Sequence, residues 1–136
     1  MAHEVSFNIW GERRVIDLLL WHPGRRALLI IELKTELVDH GELLATMDRR
    51  RRLGSAIANE RGWDPDTVSV WVVVARSRTT ERRMAAHRTV LRSVFPDDAR
   101  RLRTWLRDPV GVVRGMSQWR MESGQNLAPI RRVRPA

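Results

Sequence analysis

Leu28-Leu29-Ile30-Ile31-Glu32-Leu33-Lys34-Thr35-Glu36-Leu37 is the stretch on which the reading of this chain turns. It opens as an unbroken apolar run, the pattern of a strand buried on both faces. Side chains alternate along a strand, so Leu28, Ile30, Glu32, Lys34 and Glu36 share one face and Leu29, Ile31, Leu33 and Leu37 the other. The first face therefore changes from aliphatic to charged partway along. A buried charge is costly unless it is paired or holds a metal, so a core strand has no structural use for two acids and a lysine in a row. A strand running out into solvent is the plain alternative. The residues upstream argue against it.

Glu4 to Trp10 alternates, with Val5, Phe7 and Ile9 on one face, and reads as a strand ending at a Gly11-Glu12 turn. Arg14 to Trp21 reads as a second strand, with Val15, Asp17, Leu19 and Trp21 on one face. His22-Pro23-Gly24-Arg25-Arg26 turns the chain back into the central strand, giving a three-strand antiparallel meander. Asp17 is an acid in an otherwise apolar strand. The hairpin length allows a register that sets it directly opposite Glu32, where two carboxylates could share one ion. A slip of one residue would put the two acids on opposite faces.

Downstream, Asp39 with Glu42 has the form of a helix start and Gly62 of a helix stop, with Leu43, Leu44, Met47 and Ile57 as the apolar stripe. Asp48 is followed by Arg49, Arg50, Arg51 and Arg52. Four consecutive helical residues sweep most of the way round the axis, so at least one should face the sheet or the acidic residues. Two readings stay open: a solvated basic face with Asp48 pairing Arg52, and phosphate contacts by one or two of the arginines. Val68 to Ala75 is β-branched and apolar, a central strand parallel to its neighbour across the helical crossover. Thr80 is placed to cap a helix from Glu81 to Phe95, with Met84, Val90, Leu91, Val94 and Phe95 inward and Pro96 as the stop. Asp97 or Asp98 begins a short helix with Leu102, Trp105 and Leu106 on one side and arginines on the other. After Asp108-Pro109 the pattern fades towards Arg131-Arg132-Val133-Arg134. The expected organisation is one domain over 1–108 and a basic, loosely structured tail over 109–136. The expected fold is α/β, a mixed sheet of the meander plus a parallel strand, flanked by helices.

A chain of 136 residues suits one domain. Without cysteine there is no disulfide framework and no thiolate metal site. The apolar runs fall short of the roughly 20 residues of a membrane span, and the N-terminus does not read as a secretory signal. These features point to a soluble, cytoplasmic protein. The formal net charge of +9 suggests a polyanionic partner, nucleic acid first. The basic residues are 24 arginines and one lysine, a skew that GC-rich coding alone could produce. The single lysine, Lys34, stands two residues after Glu32. An ammonium is a compact point charge that arginine does not replace, which favours a chemical role. His3, His22, His40 and His87 lack ligand spacing and read as surface residues. The tryptophans read as core or edge, with Trp21 or Trp63 able to stack on a base.

Asp17 followed by Glu32-Leu33-Lys34, on this order of strands and helix, resembles the PD-(D/E)XK nuclease superfamily. The resemblance covers roughly Glu4 to Phe95. Gly11 to Leu19, Ile31 to Glu36 and Asp48 to Leu53 look closest to a small restriction-endonuclease-like or Holliday-resolvase-like domain. That domain occurs in actinobacterial proteins, often behind a helix-turn-helix. The resemblance implies metal-dependent phosphodiester hydrolysis on DNA. Asp17, Glu32 and the Leu33 backbone carbonyl would hold Mg²⁺ or Mn²⁺, Lys34 would orient the attacking water, and Arg49 to Arg52 would contact phosphate. Two departures stand out. Ile16 occupies the place of the motif's proline. In the superfamily a helix normally precedes the first strand and often supplies a further acid; here the strand begins almost at Met1, and the expectation is either that Glu4, Glu12 or Glu36 substitutes or that the helix is missing from this chain. Many relatives act as dimers. The rival expectations are the same fold kept as a nucleic-acid-binding or effector module of a transcriptional regulator, and an interaction domain made basic by codon usage.

Overall fold

A computed structural model of the chain describes the backbone at 4–8 and 16–17, and backbone and side chains at 18–37 and 39–120. The expected Gly11-Glu12 turn and the end beyond 120 lie outside these residues. Five strands form one sheet in the order β1-β2-β3-β4-β5, with β1 Glu4–Asn8, β2 Ile16–His22, β3 Ala27–Lys34, β4 Thr67–Ala75 and β5 Arg114–Trp119. The first three are an antiparallel meander, and β4 and β5 add in parallel. The fold is α/β with a mixed sheet, as the pattern predicts.

The β3–β4 crossover is α1, His40–Glu60. Asp39 caps it, its side chain accepting from the Gly41 and Glu42 amides, and Gly62 beyond its end takes φ +77°, a conformation that favours glycine. Its inner stripe is Leu43, Met47, Arg50, Gly54 and Ala58, at the spacing that keeps one helix face towards the sheet. Leu43 and Met47 join Leu19, Trp21, Leu28, Ile30, Val70 and Val72 in one core layer. Helix α4, Ala99–Arg107, covers the opposite face, where Trp105 packs with Leu18, Leu29, Ile31 and Trp71. Buried on both sides, β3 has the continuous apolar run its position demands.

Five expectations are corrected. The sheet extends into the segment assigned to a loose tail, because 114–119 is β5. Gly115 lets that strand lie against the Trp71 ring, whose indole N–H donates to Ser117 Oγ at 2.9 Å. The single helix from Glu81 to Phe95 is two, α2 Arg78–Ala86 and α3 Arg88–Val94, parted at His87. Its cap is Ser77, which accepts from the Thr80 amide, while Thr80 itself is buried. That break turns the inward face, so Leu91 and Phe95 are buried but Val90 and Val94 are exposed. Leu106, expected beside Trp105, is exposed as well.

Candidate acidic site on the central strands

The β2–β3 hairpin closes through Pro23 to Arg26, and its register pairs Trp21 with Leu28 and Asp17 with Glu32. That is the register that sets the two acids face to face, where directly paired residues have Cβ atoms about 4.5–5.5 Å apart. The same row of the sheet continues to Asn8 on β1 and Val72 on β4. Asn8 was not anticipated from the sequence. Its signal was the β1 register, which nothing in that strand's composition fixes.

Glu32 is fully buried, 0% exposed, beneath α1. Over it lies Arg50, whose Nε stands 3.7 Å from Glu32 Oε2 with its side chain only 15% exposed. The helix geometry explains why this arginine and no other of the run arrives there. A Cβ on Gly54 would meet Ile30 Cδ1 at 2.6 Å, so α1 touches β3 at that point. Arg50 is one turn before Gly54 and Glu32 is two residues after Ile30, on the same face of the strand. Helix and strand run in opposite directions, so the two charges coincide. The neighbours are engaged elsewhere. Arg52 and Arg51 reach Asp48 at 2.9 and 3.3 Å, and an Arg49 guanidinium N–H donates to Thr46 Oγ1 at 3.3 Å. The expected Asp48–Arg52 pair is thus present, and the arginine directed at Glu32 is Arg50.

Lys34, half-buried, ends β3 opposite Val74 and has no ion pair among the described residues. Leu33 belongs to the α4 side of the sheet, where its side chain is partly buried. Of the proposed auxiliary acids, Glu4 and Glu36 are placed away from the Asp17–Glu32 pair. Glu4 pairs with Trp21, four positions along the ladder from the Asn8–Asp17 pair, which is about 14 Å of strand. Glu36 lies beyond the end of β3, 3.8 Å from Arg83, whose guanidinium also donates to the Leu37 carbonyl at 2.6 Å. Glu12 lies outside the described residues.

The aromatic and histidine expectations change as well. Trp21 and Trp63 stack on each other, 5.5 Å apart and 6° from parallel, and both are buried, so neither is presented to a base. His22 is buried, its Nδ1 accepting from the Arg25 amide, and the half-buried His40 and His87 stack at 3.9 Å. They join the N-terminus of α1 to the α2–α3 break.

The Glu32 carboxylate is an oxygen donor of the kind that suits Mg²⁺ or Mn²⁺. Among the described residues no group of three or more His, Cys, Asp or Glu stands close enough to hold a metal ion, and the Asp17 side chain is not among them. No described helix is long and apolar enough to cross a membrane. Comparison with protein-family models, with curated proteins and with solved structures gave no match to this chain.

Proposed function

We propose that this protein is a metal-dependent nuclease acting on DNA. The observation that carries the reading is a fully buried Glu32, in register with Asp17 across the central hairpin and followed by the chain's one lysine. In this reading Asp17 and Glu32 supply carboxylate oxygens to Mg²⁺ or Mn²⁺, with the Leu33 carbonyl as a further donor. The ion's contribution is to neutralise the phosphate and lower the pKa of a water. Lys34, at the open end of β3, holds that water by hydrogen bonding and stabilises charge that develops on the phosphate. The excess of arginine supplies backbone affinity without sequence information. A homodimer and a helix-turn-helix partner segment accompany this reading through the resemblance alone, and a cytoplasmic location through composition.

The second reading is a catalytically silent nucleic-acid-binding or effector module. One observation favours it: Arg50 already offers Glu32 a compensating cation. Incubation of supercoiled plasmid with the protein and Mg²⁺, beside Asp17→Asn, Glu32→Gln and Lys34→Ala, separates the two. The nuclease reading expects cutting that EDTA abolishes and that each substitution lowers by about 100-fold or more. Salt-sensitive DNA binding without cutting, indifferent to Asp17→Asn, would leave the module.

A further inference from the structure

Arg50 is the part of this constellation that metal-ion chemistry does not call for. It is fixed at Glu32 by the approach of α1 at Gly54, it is shielded from water, and its three basic neighbours are held by Asp48 and Thr46. We propose that Arg50 is a resident counter-cation, which a divalent ion must displace from the Glu32 carboxylate before it binds. The inference rests on the nuclease reading of the site and adds its regulation. The Glu32 carboxylate has a cation beside it without a metal, and an incoming dication meets that guanidinium. Like charges at contact distance in a poorly hydrated setting weaken binding strongly. Arg50 thus raises the Mg²⁺ concentration at which the site loads, and the apo protein stays folded with a satisfied carboxylate.

Calorimetric titration of Mg²⁺ into the native protein and Arg50→Gln tests this, with circular dichroism to establish folding. Arg50→Gln should bind Mg²⁺ at least tenfold more tightly. Added Mg²⁺ should also raise its Tm more than that of the native protein, since a ligand stabilises in proportion to its affinity. Equal or weaker binding by the folded variant overturns the inference and leaves the metal site standing. Absence of Mg²⁺ binding by both proteins overturns the inference and the metal site together. Nitrogen-15 spectra of the native protein keep the test open if Arg50→Gln does not fold. The Arg50 Nε–H resonance, assigned with Arg50→Lys, should move or lose its protection from exchange as Mg²⁺ is added. A resonance unmoved at saturating Mg²⁺ overturns displacement.

Discussion

Removing the Arg50 guanidinium while leaving Glu32 in place should be among the more destabilising single changes available in α1. At 3.7 Å and an effective dielectric near 20, the attraction within the pair is about 4 kcal/mol. Much of that is offset by the desolvation of two ions, so the pair as a whole contributes little net stability. Breaking it differs from never having it, because Arg50→Met leaves a carboxylate with 0% exposure short of its cation. Losing one partner of a buried pair costs about 3–5 kcal/mol. The separation is longer than a hydrogen bond, which argues for the lower end, about 3 kcal/mol. For a domain of this size that lowers Tm by roughly 10–15 °C. Urea unfolding of native protein, Arg50→Met, Glu32→Gln and the double variant measures the coupling directly. The double variant should recover about 2 kcal/mol relative to the sum of the single changes. A loss below about 1 kcal/mol for Arg50→Met, or additivity within about 0.5 kcal/mol, would refute the assignment of Arg50 as the counter-ion of Glu32.

Gly54→Ala adds a methyl that would stand 2.6 Å from Ile30 Cδ1. The clash, about 1–3 kcal/mol, should outweigh the roughly 1 kcal/mol gained in helix propensity. Combining it with Ile30→Val, which deletes the offending carbon, should leave the pair more stable than the two single losses add to. Additivity in urea would show that α1 does not meet β3 there. Asp108 receives a bidentate hydrogen bond from Arg25, 2.8 and 2.9 Å, tying the β2–β3 turn to the end of α4. That hydrogen bond holds its carboxyl below the usual carboxylate range. A depressed native pKa gives stability that is present above the unfolded value and lost as pH falls through the native one. Carboxyl-carbon NMR should find Asp108 titrating below the usual carboxylate range, and Arg25→Ala should return it to that range. A midpoint that Arg25→Ala leaves in place would refute the pairing.

How far the sequence foretold this arrangement depended on whether a residue's partners were local. The hairpin length allowed the observed register without fixing it, and a slip of one residue would have turned Leu19 and Trp21 out of the core. Helix α1 carried its own start and stop in Asp39 and Gly62. Strand β5 was illegible because its identity depends on Trp71, forty-odd residues away. Gly115 and Ser117 are there to accommodate and bond that ring, and neither raises an apolar alternation. The α2–α3 break was hidden for the same reason. No proline or glycine marks His87, and its stacking partner His40 belongs to another helix.

The arginine run shows the same division within four residues. Its composition announced a basic face, and the Asp48 spacing announced the pairs at its surface. The choice of Arg50 for the interior was also present in the chain, in the series Leu43, Met47, Arg50, Gly54 and Ala58. Read as positions rather than as an apolar stripe, that series puts one cation in a row otherwise made of core residues and a contact glycine. Desolvating a guanidinium is unfavourable unless an anion awaits it. The acid on the facing strand that lies at the matching height is Glu32. An inward arginine in a helix stripe and an acid in an apolar strand are each anomalies alone. Taken together they specify each other, and they mark the place where this fold gives up apolar packing for charge.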